Sequence, residues 1–211
     1  GQRIFFLLQA GQVGLGGLEL GLGLRQVRLH AVELFLFRAA REGGGNGLEG
    51  HSFGNLLIAA MTAITGDFER AVRETSRVLA IRGHVLPSTL SNVTLRAKMA
   101  DGSVVIGESR ITAHPAAIHR ISLDPPDVEP LDEAIDSILD AAAIIVGPGS
   151  VYTSVIPNLL VRGVVPAIQV SSAVVIYVCN VMTQAGETAG YTASQHLQAI
   201  IDHIGCNPFD Y

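Results

Sequence analysis

Between residues 44 and 205 the apolar positions recur with periods that switch repeatedly between helix and strand. Residues 54–65 are an apolar run of helical length, which predicts a buried helix. Asp67 stands at an N-cap position, Phe68, Ala71, Val72 and Leu79 then share one face, and Gly83 marks the end of a second helix. Val93, Leu95, Ala97 and Met99 alternate with Asn92, Thr94, Arg96 and Lys98, the mark of a strand with one buried face. Asp101-Gly102 predicts a hairpin turn into a partner strand over 103–109. Residues 118–123 supply a further strand before the break at Pro125-Pro126.

Downstream, Leu131, Ala134, Ile135, Ile138 and Leu139 describe an amphipathic helix entered through Pro130 at a permitted first-turn position. Two buried strands follow, one around Ile144 and one over 174–179. Thr192-Ala193-Ser194-Gln195 has the spacing of a capping box. The helix it opens is expected to bury Leu197, Ile200, Ile201 and Ile204, to stop at Gly205, and to carry His196 and His203 on a polar edge. Helix, strand, helix, strand, helix in that order implies right-handed parallel crossovers, with the hairpin as an antiparallel addition. The predicted class is α/β, with a mostly parallel sheet.

The strand around Ile144 runs straight into Gly147-Pro148-Gly149-Ser150, and a helical segment begins at Val151. An α/β protein presents backbone N–H groups to an anion in this way, beyond the carboxyl end of a parallel strand. Gly147 and Gly149 admit backbone angles closed to other residues and leave room for a ligand, and Ser150 can cap the helix or donate its hydroxyl. A plain flexible connection is the competing reading. Asn180 and Thr183 follow the next strand and belong at the same crevice, or are ordinary polar loop residues. Gly50, His51, Ser52 and Asn55 stand at a helix entrance, where they either meet an anion or sugar hydroxyl or satisfy nearby backbone. Glu187 is expected in a solvated loop, with ribose binding or proton abstraction as the alternative.

Composition narrows the classes. The chain has 211 residues, 48% of them hydrophobic and 16% charged, with 23 glycines. Central strands covered on both faces produce that balance. A mean hydropathy of +0.40 raises the question of a membrane span. The best candidate, residues 151–168, is interrupted by Pro157, Asn158, Arg162 and Pro166, so no span is expected. A net charge of −5 with no Lys/Arg cluster along the chain argues against nucleic acid. Cys179 and Cys206 have neither metal-ligand spacing nor the density of a secreted scaffold, which points to reduced thiols in the cytoplasm. The histidines are scattered, no nucleophile elbow occurs, and no carboxylate pair has acid–base spacing along the chain. Residue chemistry alone supports binding rather than catalysis, and assigns neither a catalytic residue nor a metal ligand.

Residues 1–43 read differently. They form a low-complexity segment of Gly, Leu, Gln and Val with no steady period, expected to lie outside the fold, and residues 44–211 form the α/β domain. Residues 4–8 after Arg3 are too short an apolar core for a secretory leader.

Five phrases in one order resemble the CofD-like superfamily, specifically its YvcK branch, the gluconeogenesis factors. They are Gly50-His51-Ser52-Phe53-Gly54-Asn55-Leu56-Leu57, Ile64-Thr65-Gly66-Asp67-Phe68, Asp101-Gly102-Ser103 running to Gly107-Glu108-Ser109, Ile145-Val146-Gly147-Pro148-Gly149-Ser150 running to Leu160, and Tyr177 to Gln184 with Gly190-Tyr191-Thr192-Ala193-Ser194. The resemblance implies a Rossmann-like three-layer fold in a cytoplasmic bacterial protein that binds a nucleotide sugar such as UDP-N-acetylglucosamine. It also implies a regulatory role in growth and cell shape on gluconeogenic carbon sources. Gly50, His51, Ser52, Asn55, Gly147, Gly149, Ser150, Asn180 and Thr183 would line the ligand crevice. The related CofD enzymes transfer a phospholactyl group to a deazaflavin, so a 2-phospho-L-lactate transferase is the alternative activity. Association with further copies of the chain is open.

The chain departs from the family pattern at both ends. The Gly-Gly-Gly-Thr-Gly loop and the Asp-Asp-Gly-Gly-Ser and Gly-Asp-Ile-Arg-Asn segments of the family are missing, and the family continues past the position of Tyr211. These departures predict an incomplete fold from a partial or frameshifted reading frame, with a non-functional remnant as a third possible outcome.

Overall fold

In the computed structural model, residues 4–7, 53–78 and 85–211 are described. The chain divides into two compact units, one built from residues 1–10 and 87–211 and the other from residues 11–86. Gly50, His51 and Ser52 lie outside the described residues, as do Leu79 and Gly83.

The smaller unit shows two helices, α1 (Phe53–Thr65) and α2 (Phe68–Val78). Asp67 caps α2 as its position predicts, its Oδ1 accepting the Arg70 N–H at 2.7 Å. Ala71, Val72 and Thr75 form the buried face of α2.

The larger unit carries two three-stranded sheets. The parallel sheet has the order β1 (Ile4–Leu7), β5 (Ala143–Val146), β6 (Val174–Tyr177). Ile4 pairs with Ala143 and Leu7 with Val146, so the apolar stretch near the N-terminus is a strand of the fold. That strand lies within the segment expected to stand apart, because four apolar residues suffice for a strand flanking an apolar neighbour. The antiparallel sheet has the order β3 (Val104–Ile106), β2 (Thr94–Met99), β4 (Ile118–Asp124). Leu95, Ala97 and Met99 are buried and their neighbours exposed, which is the alternation written in the sequence. The hairpin is therefore not an appendage of the parallel sheet; with β4 it forms a sheet of its own.

Two boundaries move from expectation. The second arm of the hairpin ends at Ile106, because Gly107 takes φ 94° and turns the chain into the short helix α3 (Glu108–Thr112). Helix α4 (Asp132–Leu139) begins two residues after Pro130, with Leu131 as its N-cap. After β5, a π-helical turn (Val151–Val155) continues into α5 (Ile156–Leu159), followed by α6 (Val164–Val170). Ile144, Val146, Val151 and Ile156 are fully buried there, against Ile121 and Met99 of the antiparallel sheet in one continuous core. No helix among the described residues is long and apolar enough to cross a membrane.

The last helix, α7 (Ala193–Ile204), has the predicted capping box, with Thr192 and Gln195 each satisfying the other's backbone, and ends at Gly205. Its buried face is not the one expected. His196, Ala199, Ile200 and His203 face inward, while Leu197, Ile201 and Ile204 are only half-buried. His203 is 7% exposed and reaches the outer edge of β4, where its Nε2 accepts the Ile121 N–H at 2.9 Å. Its Nδ1 then carries the hydrogen and donates to the Ala199 carbonyl at 2.6 Å. A buried donor on a sheet edge would otherwise be orphaned, so the histidine replaces a fourth strand.

Burial holds the His203 imidazole below its ordinary pKa, outweighing the Ala199 carbonyl that favours the charged form. A depressed value means the neutral ring's contribution is present above about pH 6.5 and is lost as pH falls through the folded-state value. Urea unfolding at about pH 7 and about pH 5 should show wild type losing more stability on acidification than His203→Gln, a comparison that cancels every other titrating group. Equal losses in the two proteins would contradict this role.

Candidate functional site

The carboxyl ends of β5 and β6 lie side by side, Val146 in register with Tyr177, and the turns that follow them meet. Gly147 has φ 86°, and a Cβ there would lie 2.7 Å from the Val178 carbonyl oxygen. Only glycine fits, on both counts. Gly149 has no such angle; its Cβ would contact Ser154 and Val155 at ordinary distances, so its freedom is not what the turn requires.

Asn180 pins that turn. Its Oδ1 accepts the Gly149 N–H at 3.0 Å and its Nδ2 donates to the Gly149 carbonyl at 2.9 Å, so one side-chain amide closes a two-bond ring with one residue. Ser150 occupies the N-cap position, yet its hydroxyl donates to Gln184 Oε1 at 2.6 Å instead of accepting from the helix. The amides of Ser150 and Val151 take no hydrogen-bond partner among the described residues. Thr183 is exposed in the loop after β6. Asn55 lies on α1, in the other unit.

The first turn of the π-helical segment already holds a carboxyl group, and it belongs to the protein. Glu187 is 5% exposed; its Oε2 accepts the Tyr152 N–H at 3.1 Å and its Oε1 the Thr153 hydroxyl at 2.6 Å. This overturns the expectation of a solvated loop residue. The loop is built to deliver it: the Gln184 N–H donates to Thr188 Oγ1, and the Glu187 and Thr188 amides both return to the Gln184 carbonyl. Gly186, at φ 82°, presses so closely on the Thr112 carbonyl that a Cβ would overlap it. That contact brings α3 and its Glu108 beside the same loop.

Burial raises the Glu187 carboxyl above the usual carboxylate range, against the pull of the Thr153 and Tyr152 donors. Glu108 is raised as well, first by burial and then by the charge on Glu187. Two carboxylates far apart in sequence thus feel one another, a pairing invisible to spacing along the chain. Beneath them, the Tyr152 and Tyr191 hydroxyls share a hydrogen bond of 2.9 Å, and Tyr191 meets His196 edge-on at 5.6 Å. His196 is 2% exposed, not on a polar edge. Its Nδ1 donates to the Thr192 carbonyl at 2.8 Å, leaving Nε2 buried without a partner among the described residues.

Gln184, Glu108 and Tyr152 are members the sequence did not single out, and Glu187 was expected there as a solvated residue with a binding or base role only as the alternative. The available signal was the repeated Gly-Glu dipeptide, Gly107-Glu108 and Gly186-Glu187, each glycine at positive φ. Among the described residues, no three His, Cys, Asp or Glu side chains come together as a metal site.

Asn180→Ala should destabilise the larger unit by about 1–3 kcal/mol, the penalty for leaving a pinned donor and acceptor unmet. Asn180→Asp should cost at least as much, because a carboxylate oxygen then opposes the Gly149 carbonyl. Urea unfolding monitored by circular dichroism measures both, and a neutral Asn180→Ala would remove the side chain's role in the turn.

Comparison with known proteins agrees with this architecture. The family model described as 2-phospho-L-lactate transferase CofD matches residues 22–211. Two proteins named "Gluconeogenesis factor" are similar over 166 residues, one from Halalkalibacterium halodurans at 55% identity and one from Bacillus subtilis at 52%. Each alignment covers 79% of this chain and 52% of the relative, so the chain spans about half the length of the curated relatives it matches. A crystal structure of a Bacillus halodurans protein superposes with a TM-score of 0.73 at 54% identity, covering 79% of this chain and 54% of that one. The Rossmann-like α/β order, the pinned turn after β5 and these matches agree: the chain belongs to the CofD family, in its YvcK-type branch.

Proposed function

We propose that the chain is part of a gluconeogenesis factor that binds a nucleotide sugar such as UDP-N-acetylglucosamine and regulates growth and cell shape on gluconeogenic carbon sources. The observation that carries the reading is the pinned turn after β5, where Asn180 fixes Gly149 while the Ser150 and Val151 amides remain unclaimed among the described residues. Consecutive N–H groups held at the carboxyl end of a parallel strand suit a phosphate oxygen. Gly147, Gly149, Ser150, Asn180 and Thr183 are the contributions of the larger unit. Cytoplasmic location goes with this reading.

The description of the family model keeps a second reading in view, a phospholactyl transferase. The buried carboxylates Glu108 and Glu187 are the groups such chemistry could call on, since their raised values bring proton exchange nearer to neutral pH.

Titration calorimetry with UDP-N-acetylglucosamine, run beside a phospholactyl-transfer assay, distinguishes the outcomes. Saturable binding without turnover is expected, weakened at least about tenfold by Asn180→Ala through loss of the preorganised turn. Turnover would move the assignment to the transferase. Neither activity in a folded sample would leave the chain as a remnant without this function.

A further inference from the structure

The solvent face of the antiparallel sheet has a charge pattern that an isolated sheet does not favour. Lys98 stands directly opposite Arg120 in the β2–β4 ladder, and Arg96 lies two residues along the same face, about 7 Å away. Like charges placed opposite one another destabilise a sheet. All three side chains are exposed, and none makes an ion pair among the described residues. Among the described residues, the Arg120 guanidinium donates only to the Asp202 carbonyl, at 3.3 Å. The acids nearest this face are at its margins, Asp124 opposite Thr94 and Asp202 on α7. Val104 and Ile106 of the edge strand β3 complete the face, paired with Lys98 and Arg96 and about half exposed.

The complementary surface is on the same unit. Between Arg120 and Arg162 the sequence has seven acidic residues and no Lys or Arg. Asp127 and Glu129 pair with Arg162. Asp132 and Asp136 do not: both are exposed on α4, one helical turn apart, and Leu139 continues their stripe at 42% exposure. Four residues of helix rise about 6 Å, close to the spacing of Arg96 and Lys98 along β2. Exposed apolar side chains border the charges on each surface, Leu139 beyond the two acids and Val104 with Ile106 beside the two cations.

We propose that the β3–β2–β4 face binds the α4 stripe of a second copy of this chain. Arg96 and Lys98 meet Asp132 and Asp136, with Val104 and Ile106 flanking the seated helix. The two surfaces are different patches of one molecule, so the contact is head-to-tail. Each copy leaves one face and one stripe open, and assembly continues beyond a dimer unless the rotation closes a ring. The incoming carboxylates relieve the Lys98–Arg120 repulsion, which makes the association dependent on salt.

Sedimentation velocity on the full chain tests this, in about 50 mM and about 500 mM salt, with circular dichroism as the folding control. Wild type should show a weight-average sedimentation coefficient that rises with concentration at low salt and falls at high salt. The pairs Arg96→Glu with Lys98→Glu, and Asp132→Lys with Asp136→Lys, should each weaken association at least about tenfold. Mixing the two variants should restore the association that each alone has lost, because the acidic stripe of the first meets the basic face of the second. A wild type that stays monomeric at low salt throughout, or variants that associate as wild type does, would overturn the proposal. So would a mixture that forms no complex, since a face for an acidic peptide or for nucleic acid would lose its ligand without this pairing.

Discussion

Burial of the Glu187 carboxylate is the constraint around which the larger unit is arranged. A carboxylate withdrawn from water must find donors or surrender its charge. Here the donors are the Tyr152 amide and the Thr153 hydroxyl, at the point where the chain leaves the parallel sheet for its first buried helical turn. Meeting that demand fixes the loop after β6 against the turn after β5. It also forces Gly186 onto the Thr112 carbonyl, which ties α3 of the antiparallel sheet to the same place. Three phrases far apart in sequence, around Gly107, Gly149 and Gly186, become one neighbourhood through this single group.

That arrangement alters how an anion site at the strand ends is understood. A turn rich in glycine ahead of a helix suggests helix N–H groups waiting for a phosphate. In this molecule the helical N–H that points into the interior is already spoken for by Glu187. What remains for a ligand is the edge of the turn at the half-buried Ser150, made rigid by Asn180. The buried carboxyl group of Glu187 takes the interior of the turn and leaves Ser150 at its edge.

The sequence was most legible where period and local chemistry coincide. The alternation from Leu95 to Met99, the Asp67 cap and the Thr192–Gln195 capping box all stand where their residues place them, because each depends on neighbours a few positions away. The roles of Glu187, His196 and His203 were not legible. Polar residues in a loop or on a helix look solvated unless the partner is known, and their partners lie tens of residues distant: Thr153 for Glu187, Ile121 for His203. Nor could composition reveal that the hairpin joins β4 in a separate sheet, since that depends on which edge is free. The short strand at residues 4–7 was obscured by the uneven composition around it, and only pairing with β5 identifies it.

Gly147 joins two loops at the carboxyl ends of the parallel strands. Its missing side chain lets the turn after β5 rest directly on the Val178 carbonyl at the start of the loop after β6, and Asn180 then fastens that loop back to Gly149. The two loops are joined twice within a few residues, so neither can swing without carrying the other. A hinged lid would adapt to its cargo; this pair behaves as a fixed gauge. On the proposed nucleotide-sugar reading, recognition at such a mouth rests on whether the visitor already has the right dimensions, with discrimination set by backbone distances instead of by motion.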